Sequence, residues 1–287
     1  MSTFPRRVGA ALVAPVLVRN RTVLATYPGL RLGNFLYLLL RAHVEQSHGS
    51  DYRVLGTEAM DEWWDRFPQL HDALVIARQD IRWWHGREHL HPLFFQRFDV
   101  DFSRADLVDF ISRFLLASPL FTQSDAGEPP VDPHAVTVNV RRGDYYADST
   151  FRGLYGFDVQ GYLRVALSEV TAGTQITTIH VVSDGVDWCR ENLGWLAEHA
   201  DAVIYAGSQD GPHRNLLDIA RSRRLVLTNS TFSYWGAYIS NVIHGTNHDQ
   251  VWAPRFHSRG FDGGRAWQLD PKWHVVETIP GGWDAPF

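Results

Sequence analysis

The stretch VTVNVRRGDYY, Val136–Tyr146, decides the fold. Its first five residues are mostly β-branched, which suits a buried pleated segment. The chain then sets Arg141 and Arg142 side by side, followed by Gly143 and Asp144. A strand that ends on two permanent positive charges poses one question: what holds them there? The sequence on either side supplies the context.

Downstream, strands and helices alternate. TTIHVVSD (Thr177–Asp184) reads as a strand before the helix VDWCRENL, and DAVIYAG (Asp201–Gly207) as a strand before HRNLLDIARS. RLVLTNS (Arg224–Ser230) then leads into FSYWGAYISNVI, and a further helix is expected near Asp158–Val170. Apolar strands interleaved with helices predict a parallel sheet covered on both faces, the doubly wound α/β pattern. Such sheets bind ligands beyond the carboxyl ends of their strands, and Arg141 and Arg142 stand at such an end.

Upstream, TQSDAGEPPVDPH (Thr122–His134) is the clearest break, rich in proline, glycine and acidic residues. It divides the chain into an N-terminal domain, 1–133, and a C-terminal domain, 134–287. In the first, VGAALVAPVLV (Val8–Val18) reads as a leading strand rather than a secretory core, because no small-residue cleavage site follows it. TVLATY (Thr22–Tyr27), the turn GLRLGN and the apolar-periodic FLYLLLRAHVEQ make half of a βαβ unit, with Leu36, Leu39 and Leu40 as core. Residues Met60–Leu120 read as mostly helical.

Composition narrows the function classes. The 287 residues are 45% hydrophobic and 21% charged, so a packed globular chain is expected. A net charge of −5 gives no global field for nucleic acid, and an anion must therefore be held locally. The single cysteine, Cys189, excludes an internal disulfide and thiolate-rich zinc sites, and fits a cytoplasmic location. No apolar run approaches the roughly 20 residues of a membrane span, so membrane association is expected to be peripheral at most.

Two strand ends suit an anion. The fork of Arg141 matches a phosphate, and Asp144 is close enough to orient it, although a plain Arg–Asp ion pair would read the same way. In NSTFSYWGA (Asn229–Ala237) a strand passes into a helix through Ser230, Thr231 and Ser233. Those hydroxyls read as N-caps, and first-turn N–H groups with the helix dipole favour an anion. A diphosphate spanning both ends is the natural ligand.

These residues also resemble a known family. RRGDYY is similar to the HxRRGDY motif of the α-1,2-fucosyltransferases, glycosyltransferase family 11, and LRLGNFLYLLLRA to that family's N-terminal glycine turn and helix. VVSDGVDWCRENL, LTNSTFSYWGAYIS and VWAPRFH resemble its later blocks, in the family's order, from about Leu30 to His257. The resemblance implies a GT-B transferase, two Rossmann-like halves facing a cleft. It would be inverting, without metal or other cofactor, moving fucose from GDP-fucose to a galactose-containing glycan acceptor, with an α-1,2 linkage. Carried over by motif, Arg141 would contact the diphosphate while Arg142 and Asp144 shape its site, and Asp144 is a candidate for the catalytic base. Asn139, Asp184, Ser230, Thr231, Phe232 and Ser233 would line the donor pocket, with Gly33 and Asn34 on the acceptor side. The chain departs from the family at Asn139, where a histidine is usual, at Phe35 in place of an amide, and at Asn215 in place of an acid. Asp218, three residues on, is expected to supply the carboxylate for guanine instead.

Other readings weigh less. Asp99-Val100-Asp101 is a DxD triplet before any clear sheet, and reads as solvated loop carboxylates. His85 and His89 of HGREHLH would share a helix face, but no acidic ligand accompanies them. Of each tryptophan pair, Trp63–Trp64 and Trp83–Trp84, at least one member is expected in the core. The alternatives to a fucosyltransferase are a transferase for another GDP-sugar or acceptor, or a nucleotide-sugar- or carbohydrate-binding protein that has lost catalysis.

Overall fold

A computed structural model describes residues 21–90, 95–123, 132–172, 174–206, 211–260 and 262–284. The chain divides into two compact units, Met1–Thr122 and Gln123–Phe287. The expected leading strand, Val8–Val18, lies outside the described residues, as does most of the proline-rich segment.

The first unit holds a four-stranded parallel sheet of order β3-β2-β1-β4, formed by β1 (Thr22–Ala25), β2 (Tyr52–Leu55), β3 (Val75–Ile76) and β4 (Gly86–His89). From β1 the chain turns into helix α1, Leu32–Ser47, where Phe35, Leu36, Leu39 and Leu40 are fully buried. The helical reading of Met60–Leu120 holds only in part. Short helices α2 (Asp61–Trp64), α3 (Pro68–Leu74), α4 (Arg104–Phe110) and α5 (Pro119–Thr122) are present, and α4 runs on into a π-helical turn at Ile111–Leu116. Strands β3 and β4 interrupt them. β3 has two residues, and β4 reads GREH at the exposed sheet edge, so neither carries the apolar alternation that marks a strand.

Trp63 is buried and stacked on Phe67 at 5.9 Å, as expected of its pair. The expectation fails for Trp83 and Trp84. They stand not on a helix but in the Arg82–His85 turn, and they are 86% and 40% exposed. His85 and His89 also share no helix face. His85 is buried before β4, its Nδ1 accepting from the Arg82 amide, and His89 is exposed on the strand. Asp101 is taken by Arg97, Oδ1 to Nη2 at 2.7 Å. Among the described residues no three His, Cys, Asp or Glu side chains converge as a metal site would require.

The second unit is the doubly wound sheet. Its six parallel strands run β10-β9-β8-β5-β6-β7, formed by β5 (Val136–Val140), β6 (Thr178–Ser183), β7 (Ala202–Tyr205), β8 (Leu225–Leu227), β9 (Val251–Pro254) and β10 (His274–Val276). The helices between them are α6 (Gly143–Ala147), α7 (Ser149–Tyr155), α8 (Val159–Val170), α9 (Val186–Asn192), α10 (Gly211–Arg221) and α11 (Thr231–His244). All five residues of β5 are buried. Val136, Val138 and Val140 join a core with Tyr162, Leu163 and Leu167 of α8. Strand order reverses between β5 and β8, the switch point where such sheets bind ligands. The stretch that posed the question therefore ends at that point. Among the described residues, no helix is long and apolar enough to cross a membrane.

Close helix packing sets a testable constraint. α10 lies against α11 at Gly236, where a Cβ would collide with Ile219. Gly236→Ala is expected to lower unfolding stability by about 2 kcal/mol through overpacking, while Trp83→Ala changes it by less than about 0.5 kcal/mol. Urea denaturation of the two variants checks the pair, and equal effects would contradict this packing.

Candidate functional site

The sheet register assembles the site. β5 pairs with β6 so that Val140 faces Ser183, which sets Asp184 beside Arg141 one residue further along. Ser183 fixes this alignment, its hydroxyl donating to the Val140 carbonyl at 2.7 Å and accepting from the Gly185 amide at 2.9 Å. On the other side, Asn139 faces Leu227 of β8. The Arg141 amide donates to Thr228 Oγ1 at 2.8 Å, and the Thr228 amide donates to the Asn139 carbonyl at 3.1 Å. Three strand ends are thus locked side by side at the switch point.

Arg141 is the centre. Its Nη2 donates to Asp144 Oδ1 and its Nη1 meets Asp184 Oδ2, both at 2.5 Å. Desolvation works against the charge, but Asp184 and Asp144 outweigh it, and the guanidinium is held above its ordinary pKa. Asp184 is also anchored by the Arg142 amide, which donates to its Oδ1 at 2.7 Å. Gly143 makes this approach possible: it has φ +21°, and a Cβ there would run into the Asp184 carboxylate.

Arg142 does something else. Its guanidinium is sandwiched between the rings of Tyr146 and Trp188, 3.5 Å and 3.9 Å from their centroids. Burial there lowers its pKa, against the partial opposition of Tyr146. Of the paired arginines, Arg141 holds the carboxylates, and Arg142 braces the turn and lends its amide.

Asn139 is likewise a brace. It is buried, its Nδ2 donates to the Val182 carbonyl at 2.9 Å, and its Oδ1 accepts from the Ser233 hydroxyl. This amide pins the first turn of α11 to β5 and β6, so Ser233 is consumed inside the protein. Ser230 stands at the N-cap of α11 in extended conformation, yet its side chain does not cap the helix. The capping read from the sequence is therefore absent at Ser230, and the first-turn N–H groups keep the partial positive charge that favours an anion. Thr231 is buried and Phe232 half-buried in the same turn.

Asp218 lies on α10. Arg214 Nε donates to its Oδ1 at 2.7 Å. Its carbonyl accepts from the Ser222 hydroxyl, which in turn meets Thr137 Oγ1 near the start of β5. In the first unit, Gly33 and Asn34 lie in the first turn of α1, and Asn34 Oδ1 accepts from the buried Gln96 amide at 2.9 Å.

An aromatic stack was missed in the sequence. Tyr145 lies beneath Arg141, 5.1 Å from ring centroid to guanidinium, and stacks on Tyr155 at 4.3 Å. Tyr155 meets His257 edge-on at 6.0 Å. Buried Asn229 ties these together, its Nδ2 donating to the carbonyls of Tyr155 and His257, each at 2.8 Å. Tyr145 and His257 were visible within quoted blocks, but nothing local signalled that they share one stack.

Comparison with known proteins gives consistent results. The model of "Glycosyl transferase family 11" matches residues 94–248. The chain is 32% identical over 108 residues to galactoside alpha-(1,2)-fucosyltransferase 1 of Lagothrix lagotricha, covering 37% of this chain and 28% of that protein. It is 34% identical over 109 residues to galactoside alpha-(1,2)-fucosyltransferase 2 of Oryctolagus cuniculus, covering 37% and 29%. The chain thus spans under a third of the length of these relatives. The Escherichia coli heptosyltransferase WaaC with ADP-2-deoxy-2-fluoro heptose is similar at 12% identity and a TM-score of 0.43, over 92% of this chain and 95% of that one.

Proposed function

Because the chain belongs to glycosyl transferase family 11, we propose that it transfers fucose from GDP-fucose to a galactoside hydroxyl with inversion, forming an α-1,2 linkage. The relatives named above are galactoside fucosyltransferases, and two α/β units with parallel sheets are what the GT-B type requires. One observation carries the reading: Arg141 and the first turn of α11 stand on adjoining strands at the switch point, bound together through Thr228 and Asn139.

The chemistry needs that arrangement. Displacement at the anomeric carbon of fucose leaves negative charge on the terminal phosphate of GDP. A guanidinium and helix-end amides already in place stabilise it without reorganising in the transition state. Asp184 aims Arg141, and Asn139 keeps the first turn of α11 against it. No step of this scheme calls on a metal ion.

Titration with GDP-fucose, GDP-mannose and UDP-galactose tests the donor class. GDP-fucose is expected to bind, and with a galactoside acceptor to release GDP at a rate that a chelator leaves unchanged. Equal affinity for UDP-galactose, or activity abolished by the chelator, would sink the proposal.

A further inference from the structure

The stretch RQDIRWWHGR, Arg78–Arg87, carries two adjacent tryptophans that the core of the first unit does not use. Leaving Trp83 and Trp84 in water forgoes the burial that large rings usually gain. The exposure is built into the turn. The His85 amide donates to the Arg82 carbonyl at 3.1 Å, and the Arg82 amide donates to His85 Nδ1 at 3.2 Å. The next amide, Gly86, donates to the Arg21 carbonyl at 2.8 Å, where β4 joins β1. So presented, the two rings stand 5.4 Å apart at 81°, one a floor and the other a wall. Neither indole N–H finds an acceptor among the described residues. The corner lies at the amino ends of β1 and β4, the opposite edge from the one where parallel sheets take nucleotides.

Charge adds a direction. The stretch holds three arginines, Arg78, Arg82 and Arg87, against one aspartate, Asp80, an excess of two positive charges in a chain of net charge −5. All four side chains are exposed. Arg82 Nη1 donates to the Gln79 carbonyl at 3.0 Å, and none of the three guanidiniums enters an ion pair among the described residues. The acids of the neighbouring strands are taken, Asp51 by Arg21 and Arg53 and Glu88 by Arg41. The field reaches the turn itself: burial lowers the pKa of His85, and Arg21, Arg82 and Arg87 lower it further against partial opposition from Asp51.

We propose that this corner is a binding site for an acidic glycan, with a sugar ring laid on the indoles of Trp83 and Trp84 and its carboxylate or sulfate held by Arg82 and Arg87. A pyranose has a C–H face that an indole can cover, and hydroxyls that unused indole N–H groups can bond. The acidic group matches the fork of a guanidinium. Because the turn is already pinned, little order is lost on binding. A lipid surface fits less well: the rings stand nearly at right angles, and the exposed polar side chains of Arg78, Gln79 and Asp80 lie just before them in the chain.

Isothermal titration with a tetrasaccharide of galacturonic acid tests the site, with the uncharged galactose tetrasaccharide as the matched probe. The acidic probe is expected to bind, and the neutral one to bind about tenfold more weakly, the scale of a lost bond to a charged group. Trp83→Ala is expected to weaken the acidic probe about tenfold, Trp83→Phe to recover part of that loss, and Arg87→Gln to weaken it about tenfold. Equal affinity for the two probes would overturn the inference, as would unchanged affinity in Trp83→Ala or no binding by wild type. So would capture by phosphatidylglycerol vesicles without affinity for the tetrasaccharide, which would give this face to lipid. The outcome is separate from the donor reading. Wild type that binds the tetrasaccharide but no GDP would remove the function proposed above and leave this site standing, and the reverse result would do the opposite.

Discussion

Arg141→Ala is expected to abolish fucosyl transfer and to weaken GDP binding by about two orders of magnitude, the scale of a lost hydrogen bond to a charged group together with the charge it leaves uncompensated. The loss exceeds that of one contact. Removing the guanidinium leaves Asp144 and Asp184 facing the same space without their shared cation, and both then repel the diphosphate. Arg141→Lys is expected to recover little, because an ammonium cannot hold two carboxylates and a phosphate in the plane that a guanidinium fork provides. Some stability is lost as well, since a cation that bridged β5 and β6 is gone. Isothermal titration with GDP and a GDP-release assay read the two effects separately. His85→Ala is the matched control, because His85 lies before β4 in the first unit and is tied to the Arg82 amide. It should leave GDP affinity near wild type. Comparable GDP affinity in wild type and Arg141→Ala would contradict the assignment of the site.

What the sequence made legible follows from where information is local. The order of the second unit could be read because its central strands β5, β8 and β9 are buried on both faces and its helices are amphipathic. Arg141, Asp144 and Asp184 could be placed because a parallel sheet puts successive strand ends along one edge. The division of labour between Arg141 and Arg142 could not. It depends on Trp188, 46 positions beyond Arg142, closing the far side of an aromatic sandwich. Asn139 looked like a substituted proton carrier, but its two hydrogen bonds run to Val182 and Ser233, partners that only the folded sheet brings near. The strands of the first unit were hidden for a simpler reason: β4 is polar and exposed, so its backbone pairs without an apolar pattern.

Acid is expected to weaken the second unit in part through one buried histidine. His257 follows β9 and is fully enclosed, with Tyr155 edge-on at 6.0 Å and the Tyr234 hydroxyl 3.3 Å from its Nδ1. Burial holds its pKa down to about 4, against 6.5 for the free imidazole. The sign follows from which state takes the proton. Below pH 6.5 the unfolded chain protonates His257 and the folded chain does not, so stability present above pH 6.5 is lost as pH falls toward 4. The loss from this group amounts to about 2 kcal/mol at pH 5 and about 3 kcal/mol at pH 4. Carboxylate pairs add their own acid sensitivity, so the measurement is a difference: urea unfolding of wild type and His257→Gln at pH 7 and pH 5. The variant should lose about 2 kcal/mol less between those values, and identical slopes would refute the assignment. Because Tyr155 stacks on Tyr145 and Tyr145 supports Arg141, a proton forced onto His257 strains the stack beneath the anion site. GDP affinity in wild type should therefore fall over the same pH range, and fall less steeply in His257→Gln.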